Sequence, residues 1–209
     1  MKRIFFTLAL ALSGVFSVWY GFHVPKEATA QPAPELVSAT ILNPSKPFAP
    51  FSLTDTDGKT FTQNSLLGHW TLMFFGYADC PEICPKTLVT MSELWNLLPS
   101  ETQKPDALHL LFVSLDPKSD TPNKLKAFLN RFHSSFQGLT GDENTIQALS
   151  KACSIYSWQD PNTQAGRPKI IDHSATLLLI NPQGRLHALF SPPHQAQSLA
   201  EDLRTILKR

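Results

Sequence analysis

Three apolar runs constrain this chain more than any other feature. Trp70 to Phe75, Leu108 to Leu115 and Ser174 to Ile180 are of strand length and nearly free of charge. Consecutive strand residues point to opposite faces, so such runs must be covered on both sides. The segments between them supply the cover. Met91, Leu94, Trp95 and Leu98 recur at helical spacing, as do Leu125, Phe128, Leu129 and Phe132. Asp120-Thr121-Pro122 looks like a helix cap followed by a first-turn proline. A further helix is predicted over Glu143 to Cys153, with Ile146 and Leu149 inward. The last helix carries Leu199, Leu203, Ile206 and Leu207 on one face.

Two shorter signals complete the pattern. Phe51 to Thr54 and Thr60 to Thr62 flank Asp55-Thr56-Asp57-Gly58, which predicts a hairpin. Asn181-Pro182-Gln183-Gly184 turns the third run into a strand over Leu186 to Phe190. Strands alternating with helices, then a hairpin and a closing helix, predict an α/β sandwich around one sheet. The order is that of a thioredoxin-like fold with an added N-terminal β-hairpin.

The 209 residues suffice for one such domain with some to spare, and a net charge of +1 gives no reason to expect nucleic acid. The chain divides into three expected parts. Lys2 and Arg3 precede 19 uncharged residues, Ile4 to Phe22. A membrane span needs about 20 apolar residues. A cleaved signal peptide has a shorter apolar core and a small-residue site, for which Ala28-Thr29-Ala30 would serve. Length favours an anchor over residues 1–24. Either reading places the rest of the chain outside the cytoplasm. Residues 25–47, rich in Pro and Ala, read as a linker. The globular domain is expected over 48–209.

The chemistry centres on Cys80 and Cys84, in Gly76-Tyr77-Ala78-Asp79-Cys80-Pro81-Glu82-Ile83-Cys84-Pro85. The loop follows the first buried run directly. Pro85 suits a first helical position, so Cys84 is expected at or just before a helix N-terminus, where thiol pKa values fall. Three intervening residues make a more open pincer than the usual redox spacing of two. His173, in Ile171-Asp172-His173-Ser174, would be brought in by the fold. Soft sulfur ligands select Cu(I), zinc or iron–sulfur clusters. Two Cys and one His fall short of a closed zinc site. They match a low-coordinate Cu(I) site, and imidazole also suits Cu(II). The structural alternatives are a local disulfide or buried thiols for the cysteines, and a hydrogen-bonded strand-end residue for His173. Cys153 reads as a small core residue. Asp116 and Asp120 read as a loop turn and a helix cap rather than a hard-metal pair.

These segments resemble the Sco/SenC family of copper-binding proteins, which assist assembly of cytochrome c oxidase. Three stretches carry the likeness across roughly Phe48 to Arg209. They are Phe75-Gly76-Tyr77 through Pro85, then Phe112 to Pro117 with Asp120-Thr121, and Asp172-His173-Ser174. The resemblance implies a thioredoxin-like domain in the periplasm, tethered to the inner membrane. It implies Cys80, Cys84 and His173 as copper ligands. It also implies partners: the binuclear copper centre of oxidase subunit II, and other periplasmic copper chaperones or thiol reductants. Thioredoxin-like oxidoreductases usually place a cis-proline opposite their cysteines. Asp172-His173-Ser174 stands there without one, which favours metal. The chain departs from the family's pattern at Asp79 and Glu82-Ile83. Two carboxylates near the thiols are expected to raise their pKa values.

Two functions compete at this point. One is a copper metallochaperone without turnover chemistry. The other is a periplasmic thiol–disulfide oxidoreductase, an enzyme using Cys80 and Cys84 as attacking and resolving thiols. His173 separates them, because a dithiol enzyme does not require it. A peroxiredoxin-like reading is weaker, since no Arg and Thr flank a single reactive cysteine.

Overall fold

The apolar runs become the central strands of one sheet. The computed structural model describes residues 35–104, 107–159 and 170–208. The unit that begins at Leu36 carries everything below. The expected membrane segment, 1–24, lies outside the described residues. Among the described residues no helix is long and apolar enough to cross a membrane.

The strands are β1 (Ala39–Pro47), β2 (Ser52–Asp55), β3 (Thr60–Thr62), β4 (Trp70–Gly76), β5 (Leu108–Ser114), β6 (Phe136–Thr140), β7 (Ser157–Gln159), β8 (Ile171–His173), β9 (Leu177–Ile180) and β10 (Arg185–Phe190). The helices are α1 (Ile83–Leu97), α2 (Pro122–Leu129), α3 (Glu143–Ala152) and α4 (Ala196–Ile206). Eight strands form one sheet in the order β1-β10-β9-β4-β5-β6-β2-β3, while β7 and β8 pair separately. β4, β5 and β6 run parallel. β9 and β10 continue the sheet antiparallel on one side, and β2 and β3 on the other.

Strand alternation divides the core in two. Leu72 and Phe74 of β4, with Leu110 and Phe112 of β5, pack against Leu88 and Met91 of α1, Leu125 and Phe128 of α2, and Leu199 and Leu203 of α4. Met73, Phe75, Leu111 and Val113 face the other way, onto Leu53, Phe61, Ile146 and Leu149. Each fully buried side chain of this size adds about 1.5–3 kcal/mol relative to exposure, which makes the central strands the best-anchored part of the chain.

The expected hairpin is present, with Ser52 opposite Thr62 and Gly58 at φ +77°, a conformation that favours glycine. Three features differ from expectation. Residues 25–47 do not remain a linker to their end, because Ala39–Pro47 is an edge strand on β10. The domain therefore starts before residue 48. The prolines hid this strand. Pro44 falls where the register with β10 shifts between Ile41 and Lys46, a place a strand tolerates proline. The buried Asp202 carboxylate holds the strand's entry, accepting from the backbone N–H groups of Val37, Ser38 and Ala39 at 2.7, 2.7 and 2.8 Å.

β6 is the second difference. Its Phe136-Gln137-Gly138-Leu139-Thr140 gives a weak strand signal because of Gly138. That glycine permits close packing, since a Cβ there would lie 2.9 Å from both Leu129 Cδ1 and Thr56 Cγ2. The third difference is at the run read as one strand over Ser174 to Ile180. β9 covers only Leu177–Ile180, and the residues before it lead back to β8, which pairs with β7. His173 therefore sits on a two-stranded ribbon, outside the main sheet.

Candidate metal centre

β4 delivers the cysteine loop to the carboxyl end of the sheet, where ligand sites of open α/β sheets gather. Gly76 closes the strand because nothing larger fits. A Cβ there would lie 2.7 Å from Cys84 Sγ and 2.9 Å from Phe112 Cε2. The loop then turns through Cys80 N–H to Tyr77 O at 3.2 Å. Helix α1 begins at Ile83, so Cys84 lies inside its first turn, and Pro85 is the third helical residue rather than the first. Glu82 stands at the cap position but its side chain makes no cap bond. Cys80 supplies the acceptor instead: Cys84 N–H donates to Cys80 Sγ at 3.4 Å. The first sulfur thus occupies the place where a helix N-terminus stabilises negative charge.

His173 arrives from β8. Its Nε2 lies 3.2 Å from Cys84 Sγ. Its Nδ1 lies 3.2 Å from the Ser174 carbonyl. A carbonyl only accepts, so Nδ1 carries a proton, and Nε2 is the nitrogen turned toward the sulfurs. The ligand atoms of Cys80, Cys84 and His173 all lie within 4.8 Å of one another. Both cysteines are free and buried, so the disulfide alternative is not what this structure holds.

The two thiols differ in acidity. The hydrogen bond from Cys84 pulls the Cys80 thiol down to about 4, against the opposing effect of burial, and His173 lowers it further. Cys84 moves the opposite way. Its proton is held by the hydrogen bond to Cys80, and burial adds to the rise. The two shifts run in opposite directions, which makes Cys80 the more acidic thiol of the pair. The expected rise at Cys80 from the two neighbouring carboxylates does not occur. Asp79 pairs with Lys124 at 2.6 Å and Glu82 with Lys86 at 2.5 Å, both facing solvent.

Asp120 is not the helix cap. Thr121 caps α2, accepting from Lys124 N–H at 3.3 Å. Asp120 is buried and clamps the cysteine loop. Its Oδ2 accepts from Ala78 N–H at 3.0 Å and from Ser114 Oγ at 2.8 Å. Its Oδ1 lies 3.2 Å from Lys124 Nζ. Asp116 does make the loop turn, its carbonyl accepting from Ser119 and Asp120 N–H. Cys153 is buried in the opposite half of the core, where burial pushes its thiol up to about 12. It is the core residue the sequence predicts and takes no part in the site.

Sequence reasoning gave Tyr77 no role. Its ring is buried and meets the His173 ring edge-on at 6.0 Å. Its hydroxyl accepts from Ile171 N–H at 3.2 Å. The only sequence signal was its place beside Gly76 in the segment that carries the family likeness.

The fold and site together define a thioredoxin-like α/β domain with two free thiols and an imidazole converging at the end of a central strand. Comparison with known proteins refines that class. The sequence model of the SCO1/SenC family matches residues 41–208, and the chain belongs to that family. It is 36% identical over 155 residues to a Stutzerimonas stutzeri protein named for copper binding, covering 74% of each. It is 34% identical over 157 residues to the mitochondrial SCO2 of Saccharomyces cerevisiae, and it spans about half of that relative's length, 51%. Among solved structures it resembles yeast Sco1 with copper bound, with a TM-score of 0.71 and 31% identity over 78% of this chain and 89% of that one.

Proposed function

We propose that this protein binds copper through Cys80, Cys84 and His173 and carries it as cargo for the assembly of cytochrome c oxidase. The binuclear copper centre of subunit II is the recipient in this reading. The observation that carries it is the convergence of two sulfurs and one imidazole nitrogen within 4.8 Å. The donor set fits the metal. Cys80 is already inclined to the thiolate form, its sulfur accepts from Cys84 N–H at the helix N-terminus, and His173 turns its Nε2 toward the sulfurs. Two thiolates satisfy Cu(I), and the added imidazole accommodates Cu(II). Similarity to copper-bound relatives supports the choice of metal. The apolar N-terminal stretch supports a periplasmic domain tethered to the inner membrane.

A second reading has its own observation. A low-pKa thiol hydrogen-bonded by a second thiol is also the arrangement of a dithiol reductant. One residue separates the two. In the purified protein one Cu(I) per chain is expected, lost in the Cys80→Ser, Cys84→Ser double variant. His173→Ala weakens Cu(I) binding partly and Cu(II) binding strongly, removes or shifts the sulfur-to-Cu(II) absorption, and leaves disulfide formation intact. Unchanged copper binding in the double variant overturns the metal reading. Full oxidase activity and parental Cu(II) binding in His173→Ala make the protein a dithiol reductant.

A further inference from the structure

His173 is held differently from the cysteines. Cys80 and Cys84 belong to a loop and helix rooted in the central sheet. Among the described residues β8 pairs with the short strand β7 alone, in a separate ribbon, through Ser157 to His173, Trp158 to Asp172 and Gln159 to Ile171. A ligand on a short two-stranded ribbon needs tying to the rest of the site, because such ribbons have little stability of their own. The tie is Tyr77. This residue leaves β4 directly after Gly76 and lies three positions before Cys80, and its hydroxyl accepts from the backbone N–H of Ile171, two positions before His173.

The same side chain also meets the imidazole. Its ring stands edge-on to the imidazole at 6.0 Å, with Phe74 on the same imidazole at 5.9 Å. One buried oxygen thus connects the ribbon that carries the nitrogen ligand to the loop that carries the first sulfur ligand.

We propose that Tyr77 is the positioning residue of the metal centre, its hydroxyl fixing β8, and with it His173, to the loop that carries Cys80. The proposal deepens the copper reading and rests on it. Groups behind metal ligands set ligand orientation. The hydroxyl therefore matters most for the state that needs the imidazole. Cu(II) binding depends on it, and Cu(I), held by the two sulfurs, depends on it little.

Tyr77→Phe keeps the ring and removes the oxygen. In the full-length protein, Cu(II) affinity is expected to fall about tenfold, the size of one buried hydrogen bond, with Cu(I) affinity within about twofold of the parent. The sulfur-to-Cu(II) absorption is expected to change in the same way as in His173→Ala, because the imidazole is no longer held in place. A purely structural loss would not produce that change. A second measurement needs no metal. Amide hydrogen exchange in the metal-free variant is expected to quicken across Ile171–His173 while β9 is unchanged. Parental Cu(II) affinity and absorption overturn the proposal, even if exchange quickens. Exchange that is unchanged, or that quickens equally in β9, also overturns it. If the parent itself binds no copper, the function proposed above fails. The exchange comparison still decides whether Tyr77 fixes β8.

Discussion

Gly76→Ala tests whether the cysteine loop is placed as tightly as the geometry shows. The added methyl carbon would lie 2.7 Å from Cys84 Sγ, 2.9 Å from Phe112 Cε2 and 3.1 Å from Phe112 Cζ. To regain ordinary van der Waals contact, the sulfur must retreat by at least about 0.7 Å. Neither neighbour retreats easily. Cys84 sits in the first turn of α1, and Phe112 is buried in the middle of β5. Overpacking of this kind costs about 1–3 kcal/mol. Taking about 2 kcal/mol, the melting temperature of the metal-free protein drops by roughly 4–8 °C. Metal sites tolerate ligand displacements of only about 0.5 Å, so copper binding suffers beyond the stability loss. Cu(I) affinity, measured against a competing chelator, is expected to fall about 10–100-fold, the range seen when the supports of metal ligands are lost. Gly138→Ala is the control. Its methyl meets Leu129 and Thr56 at 2.9 Å, a slightly milder clash away from the thiols. It should lower the melting temperature and leave copper affinity alone. Parental copper affinity in Gly76→Ala, or an equal affinity loss in both variants, would refute the argument.

Asp120→Ala removes the acceptor for Ala78 N–H and Ser114 Oγ and is expected to cost about 2–4 kcal/mol in chemical denaturation. Thr121→Ala removes only the α2 cap and should cost about 1 kcal/mol; the reverse order would restore Asp120 as the cap. For the thiols, the lowered pKa of Cys80 means that its thiolate persists as pH falls and is lost only near 4. Its contribution to stability is full above the ordinary thiol value and fades as pH falls toward 4. Alkylation of Cys80 in the metal-free protein should therefore hold steady from about pH 8 to about pH 6, while an ordinary thiol slows about tenfold per unit. A tenfold fall per unit at Cys80 would show that its thiol is not the acidic one described.

The layered fold was legible in the sequence because burial on both faces leaves a one-dimensional trace. Trp70 to Phe75 and Leu108 to Leu115 have nothing polar enough to face water, and the helices between them keep their period. The metal donors were legible because sulfur and imidazole are scarce and chemically specific, and because Cys80 and Cys84 lie in one loop. That Cys80 and Cys84 lie close to His173, 89 residues beyond Cys84, followed from the family likeness and not from spacing. Other features left no such trace. β1 was hidden because proline and alanine are read as linker composition, whereas its order comes from β10 and from Asp202 far along the chain. Asp120 looked like a cap because capping is local, while its partners at Ala78 and Ser114 are brought to it by the sheet. Tyr77 drew no role from the sequence, and its hydroxyl acquires one only when β8 is laid beside it. The acidity of the cysteines could not be read from Asp79 and Glu82, because Lys124 and Lys86 neutralise those charges in space. Periodicity and residue chemistry act along the chain, so the sequence alone determined the layers and the donors. Hydrogen bonding, charge pairing and close approach act across it, so only the tertiary structure decided which donor holds the proton and what holds His173 in place.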